Sequence, residues 1–265
     1  MSLRINTNVA AINSHRTLNE TNNAMGKSLE RLSSGLRINR AADDAAGLSI
    51  SEGLRSQIGG LKMGARNAQD GVSLVQTAEG ALTEVHAMLQ RMNDLAVQNA
   101  SGTASANAKA ALSAEFTQLT TEIGRIATNT KFNGDAIFGG AAKTFQVGFD
   151  SGDTIDVTAT ALANFSTATA MGAAVITNSN TVQAAITEVS TQRAELGAIQ
   201  NRFEHTIKNV NSAIENLSAS ESRIRDTDMA AEMSSFTRNQ ILSQAGTSML
   251  SQANQASQNV LSLLR

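Results

Sequence analysis

A spacing of seven restricts this chain more than any other feature. From Thr181 onward, Val182, Val189, Leu196, Phe203, Val210, Leu217 and Ile224 recur every seventh residue without a miss. That period keeps apolar side chains on one stripe of an α-helix that packs lengthwise against others. If continuous, about 45 such residues span roughly 68 Å. A companion row is apolar at Ile186, Ile207 and Ile214 but polar at Arg193, Gln200 and Glu221. Asn180-Thr-Val-Gln183 has the form of a capping box, which places the helix start there. The chain holds no proline to break such a helix.

A second run keeps the same phase. Leu54, Leu61, Ala68, Val75, Leu82, Leu89 and Ala96 fall seven apart, beside Ile58, Ala65 and Val72. Asp44 is the expected N-cap, and Ser101-Gly102 the stop. Gly59, Gly60, Gly64, Gly71 and Gly80 lie within it, each weakening a lone helix by about 1 kcal/mol, so tertiary packing must hold it. A shorter helix follows, with Leu112, Phe116, Leu119, Ile123 and Ile126 on one face. The N-terminus is striped by Ile5, Val9, Ile12, Leu18, Met25, Leu29 and Leu32 until Ser33-Ser34-Gly35. The C-terminus is striped by Leu242, Met249, Ala256 and Leu263, with Gly246, Ala253 and Val260 between them.

Only the middle departs from helical spacing. KFNGD (131–135) carries an Asn-Gly turn signal, and Phe145, Val147, Phe149 and then Ile155, Val157 alternate about Asp150-Ser-Gly-Asp153, which predicts a β-hairpin. Residues 161–180 read as a connection. The expected fold is mainly α: an elongated antiparallel coiled-coil or helical-bundle rod with a small β-hairpin region, its N- and C-terminal helices paired.

Composition narrows the function. Aromatics make up 3% of the chain and there is no Cys, Trp or Tyr. That excludes disulfides and thiolate chemistry, and favours thin helical packing over a large globular core. No apolar run approaches the ~20 residues of a membrane span, and the first residues lack a secretory signal pattern. The basic excess through Arg40 has no aromatic interleaving, so nucleic-acid binding is not expected. His15, His86 and His205 have no ligand partner at helical spacing. Asp43-Asp44 reads as a helix cap rather than a carboxylate pair. No phosphate loop, nucleophile elbow or dinucleotide fingerprint occurs. The expectation is a structural protein with no catalytic residue, metal or cofactor.

Two thin terminal helices pairing cover only part of each stripe, so the remainder calls for other copies of the chain. Identical subunits meeting head to tail build open helical filaments unless a ring closes. Isolated terminal helices are marginal in water, and order when neighbours bury them.

Four longer motifs carry a resemblance. SLERLSSGLRINRAADDAAGLSIS (28–51) resembles the N-terminal signature of bacterial flagellins, and QILSQAGTSMLSQANQASQNVLSLLR (240–265) resembles their C-terminal one. LQRMNDLAVQNASGT (89–103) and TKFNGDAIF (130–138) also agree. The resemblance implies a minimal flagellin, lacking variable outer domains, that builds the extracellular flagellar filament. It implies that 1–43 and 226–265 form the inner-tube domain, and that 44–180 and 181–225 form the outer-tube domain. Ala256-Ser257 stands where the family often has Val-Pro, and Met229 where an aromatic is common.

The resemblance further implies unfolded export through a flagellar type III channel. The partners it implies are an export chaperone, a filament cap and hook-associated proteins, with no membrane insertion. The residues implied for subunit packing are Ile5, Val9, Ile12, Leu29, Leu32, Leu242, Met249, Ala253, Val260 and Leu263. Gln90, Arg91, Leu95, Gln98 and Glu115 match positions that contact a flagellin-sensing Toll-like receptor of animals, although Leu119 replaces a basic residue common there. On residues alone, Arg91 and Glu115 are equally an ion pair within the chain. The alternative reading is a hook–filament junction adaptor that does not polymerise indefinitely.

Overall fold

A computed structural model describes residues 8–102, 105–139, 141–163, 176 and 179–263, with side chains as far as residue 255. Five helices account for most of them: α1 (Val9–Ser34), α2 (Ala45–Ala100), α3 (Ala106–Asn129), α4 (Ser179–Arg225) and α5 (Met229–Leu263). Four short strands lie between α3 and α4: β1 (Lys131–Phe132), β2 (Asp135–Ala136), β3 (Lys143–Gln146) and β4 (Thr154–Val157). Most of the expected connection at 161–180 lies outside the described residues. The chain divides into two compact units, Met1–Ser56 with Leu217–Arg265, and Gln57–Asn216.

The second unit has a continuous apolar core. Along α2 the buried positions alternate in steps of three and four, running Leu61, Gly64, Ala68, Gly71, Val75, Ala78, Leu82, Val85, Leu89, Met92, Ala96 and Asn99. Along α4 they run Val182, Ala185, Val189, Gln192, Leu196, Ile199 and Phe203. Both are coiled-coil seams, and each has one row in which small or polar residues (Gly64, Gly71, Ala78 and Asn99; Ala185 and Gln192) mix with apolar ones. One polar interruption of the α4 pattern lies beside that seam and pairs with α2, Arg193 being 3.7 Å from Glu79; in the first unit another, Glu221, lies 3.9 Å from Arg55. Phe116, Ile123 and Ala127 of α3 close the core, with Leu112, Leu119 and Ile126 partly buried against it.

Two seam glycines have a steric reason. A Cβ on Gly71 would stand 2.6 Å from Cζ of Phe203, a ring that is fully buried and meets Phe145 edge-on at 5.6 Å. A Cβ on Gly64 would run into the carbonyl of Val147. The helical cost of glycine is offset here by the close approach of an aromatic ring and of a backbone.

The β region holds two antiparallel pairs where one hairpin was expected. Asn133 and Gly134 both have positive φ, the requirement of a type I′ turn, so the Asn-Gly signal closes a hairpin of its own, β1–β2. In the second pair Phe145 stands opposite Ile155. Strand β3 stops at Gln146, leaving Val147 and Phe149 in the connecting loop. There the Val147 N–H donates to the Asp153 carbonyl at 2.9 Å. Val147 is still buried, and Phe149 is exposed. Helix α4 starts at Ser179, so Asn180 lies inside its first turn rather than capping it.

Candidate assembly surface

In the first unit α1 and α5 pair antiparallel. The α1 positions turned inward are Ala11, Ser14, Leu18, Thr21, Met25, Ser28 and Leu32, and those of α5 are Glu232, Phe236, Asn239, Ser243, Gly246, Leu250 and Ala253. Both sets step by three and four, the spacing of a coiled-coil seam. Four contacts fix the register. Arg31 lies 3.6 Å from Glu232, Ser243 Oγ donates to Asn22 Oδ1 at 3.1 Å, and Asn8 Nδ2 donates to the Ala253 carbonyl at 2.9 Å. Leu18 lies over Gly246, where an added Cβ would be 3.3 Å from its Cδ1.

This pair is thinly covered. Thr21 and Ser28 are the buried residues of α1, and the described side chains of α5 are all at least partly exposed. Met229, Met233, Ile241, Leu242 and Met249 on α5 are each about half exposed or more, as are Val9, Ile12 and Leu29 on α1. The terminal stripe of α5 is therefore split. Gly246 and Ala253 pack on α1, while Leu242 and Met249 face outward. A shallow groove lined by Met233, Ser234, Thr237, Arg238, Ile241 and Leu242 runs along the open side. A helix with large apolar side chains on its packed side and beyond it has the pattern of one that is surrounded. Residues 239–264 contain no Asp, Glu, Lys or Arg, unlike an ordinary solvated helix face. Covering one such half-exposed side chain contributes about 1 kcal/mol.

Of the residues expected in subunit packing, Leu32 and Ala253 are half-buried within the α1–α5 pair. Val9, Ile12, Leu29, Leu242 and Met249 are exposed. Ile5 and the side chains of Val260 and Leu263 lie outside the described residues.

The ends of the helices in this unit are tied by polar contacts. Gly35 adopts a left-handed conformation and closes α1, its N–H donating to the Arg31 carbonyl. The chain then crosses the α4–α5 connection. Leu36 pairs with Asp226, the Arg37 N–H donates to the Arg225 carbonyl, and the Thr227 N–H donates to the Gly35 carbonyl. Asp228 starts α5, its Oδ1 accepting from the N–H groups of Ala230 and Ala231. Asp44 Oδ1 accepts from the Gly47 N–H at 2.9 Å at the start of α2. Its neighbour Asp43 does different work, accepting from the N–H groups of Arg40 and Asn39. The Arg40 bond is the main reason that the Asp43 carboxyl titrates below its ordinary range. Desolvation opposes it, and the Asn39 N–H, Lys27 and Arg31 reinforce it.

In the second unit, Arg91 Nε donates to Glu115 Oε1 at 2.8 Å across α2 and α3. The hydrogen bond and charge of Glu115 raise the pKa of Arg91. Gln90, Arg91, Gln98 and Glu115 are exposed. Leu95 is fully buried: α2 turns Met92, Leu95, Ala96 and Asn99 inward, so four-residue spacing from Arg91 does not place Leu95 on the same open face. Among the described residues no group of three His, Cys, Asp or Glu side chains could hold a metal, and no helix is long and apolar enough to cross a membrane.

The geometry thus centres on helix faces rather than on a pocket with converging polar groups. Residues 5–143 match the family described as bacterial flagellin N-terminal helical region, and residues 179–264 match the bacterial flagellin C-terminal helical region. The chain is 52% identical to a flagellin of Halalkalibacterium halodurans, over 98% of this chain and 99% of that one. It is 46% identical to a flagellin of Bacillus subtilis, over 99% and 100% respectively. Identity to the flagellar filament 33 kDa core protein of Treponema phagedenis is 45%, over 98% and 99%. The chain belongs to the bacterial flagellin family.

Proposed function

We propose that this chain is the structural subunit of an extracellular bacterial flagellar filament, and that its copies bury one another's terminal helices. The observation that carries the reading is α5: Met229, Met233, Ile241, Leu242 and Met249 remain uncovered after α1 has taken its share of the helix. In this reading 1–43 and 226–265 line an inner tube, and 44–225 form an outer one. Motility follows from packing, with no residue in a catalytic role.

Export through a type III channel, a chaperone on the C-terminal helix, a filament cap and hook-associated neighbours complete the reading. A chain without cysteine crosses such a channel with no disulfide to form on the way. The exposed Arg91–Glu115 pair, with Gln90 and Gln98 beside it, is the surface offered to a flagellin-sensing Toll-like receptor. Free subunits should then signal, and Arg91→Ala should cripple signalling; full activity of that variant removes the receptor from the reading.

The deciding experiment is electron microscopy after seeded polymerisation, with a version truncated after Thr227 beside the full chain. Filaments from the full chain alone are expected. Discrete particles from both, under conditions that polymerise a related flagellin, would overturn the filament reading in favour of a junction adaptor.

A further inference from the structure

We propose that Met229, Met233 and Met249 form an oxidation site through which hydrogen peroxide controls assembly of the free chain. The proposal rests on the filament reading, because it takes the open faces of α5 as contact surface.

The sulfur inventory is one-sided. The chain has nine methionines and no cysteine, so every sulfur atom is a thioether; tyrosine and tryptophan are absent as well. Among the described residues, Met92 is fully buried, and Met25 and Met88 are partly buried. Four methionines are about half exposed, and three of these lie on α5: Met229 at 47%, Met233 at 51% and Met249 at 63%. Met233 lies on one flank of the packed row and Met249 on the other, while Met229, seven residues before Phe236, continues the row itself at the exposed start of α5. A neighbour on the Met233 flank meets a thioether near the start of α5, and one on the Met249 flank meets a thioether sixteen residues further on. Methionine suits a surface that must repack, since it is unbranched and polarizable. The same thioether is open to a two-electron oxidant until it is covered.

The step balances. A sulfur lone pair attacks one peroxide oxygen, an S–O bond forms and the O–O bond breaks. The departing hydroxide takes the remaining proton and leaves as water. Sulfur loses two electrons and peroxide gains them. The product sulfoxide is polar and accepts hydrogen bonds without donating any. Around Met249 the neighbouring turns offer Ala245, Gly246, Gln252 and Ala253, of which Gln252 alone carries a side-chain donor. An oxygen buried there by a partner helix exchanges its water for at most that donor, and a flexible apolar side chain becomes polar and chiral. Oxidation therefore acts against association and leaves the core of the second unit untouched. A sulfoxide is reducible, so the block is reversible. Once subunits are assembled, the partner helices shield these sulfurs.

The test uses the purified full-length chain, treated with hydrogen peroxide and quenched. Peptide mass spectrometry maps the added oxygens, and seeded polymerisation is followed by light scattering and electron microscopy. Met229, Met233 and Met249 should oxidise at least about tenfold faster than Met92, and the critical concentration should rise at least about tenfold. Methionine sulfoxide reductase should return it to the starting value. Filaments treated after assembly should keep these three thioethers. In a variant carrying Met229→Leu, Met233→Leu and Met249→Leu, whatever its own critical concentration, peroxide should leave that value unchanged.

Normal polymerisation of chains bearing all three sulfoxides would overturn the proposal. So would equal peroxide inhibition of the triple variant, which would move the effect to another residue such as Met63. If untreated chains form no filaments on seeds, the filament reading fails first, before any sulfur is oxidised, and the proposal falls with it.

Discussion

The two units use the same device, a seam stepping by three and four, and reach opposite ends with it. In the second unit the seams of α2 and α4 are closed over by α3 and the two hairpins, so Leu82, Leu89, Leu95, Ile123, Leu196 and Phe203 are essentially buried. In the first unit the shared face of the α1–α5 pair mixes Leu18, Met25, Leu32, Phe236 and Leu250 with Ala, Ser, Thr, Asn and Gly, and Val9, Ile12, Leu29, Ile241, Leu242 and Met249 are left outside. The repeat is equal in quality. The number of partners each helix finds within its own chain differs. A seven-residue period therefore specifies that a helix packs lengthwise, and leaves open whether its neighbours belong to the same molecule.

Truncating one core ring gives the largest break in that comparison. Phe203→Ala should destabilise the chain by about 3–5 kcal/mol in denaturant unfolding, because the ring is fully buried against Gly71 and Phe145. Leu242→Ala deletes a side chain of similar chemistry from the open face. It should move monomer stability by no more than about 0.5 kcal/mol, while raising the critical concentration for polymerisation. Equal losses in monomer stability would erase the distinction between the units.

Glycine substitutions sharpen it. Gly71→Ala improves helix propensity yet pushes a methyl into Phe203, and should cost about 1–3 kcal/mol. Gly80 lies on the same helix with open space where its Cβ would be, and Gly80→Ala should stabilise by about 0.5–1 kcal/mol. Thermal melts of the two variants should shift in opposite directions. The smallest expected effect is local to the first unit. With its pKa depressed in the folded chain, Asp43 contributes fully above the ordinary value near 3.8 and loses that contribution as pH falls through its lower folded value. Asp43→Asn should flatten the acid limb of a stability-against-pH curve, and an unchanged limb would remove Asp43 from it.

Much of the helical order was legible because rows of Leu, Ile and Val announce themselves. The row Leu61 to Ala96 and the row Val182 to Val210 are buried as the period requires. Of the companion rows, Ile58 and Val72 are buried and Ile186 and Ile207 pack against the core, but Gly64, Gly71, Asn99 and Gln192 occupy seam positions without being apolar, so a search for hydrophobic spacing passes over them. In α5 the apolar residues serve two surfaces at once: the seven-residue period sorts Leu242 and Met249 into one row and Gly246 and Ala253 into another, but it does not say which row meets α1. The second hairpin was read one turn too long, because Val147 continues the alternation of burial after the strand pairing has ended.

The crossing of Gly35–Arg37 with Arg225–Thr227 acts as a pin. It joins the segment after α1 to the α4–α5 connection at one fixed point, close to the Arg31–Glu232 contact and far along the pair from Asn8 and Ala253. Any axial slip of α5 along α1 must vanish at the pin and accumulate away from it. The terminal helices therefore behave as a lever clamped at one end by backbone hydrogen bonds and held at the other by the Asn8–Ala253 bond.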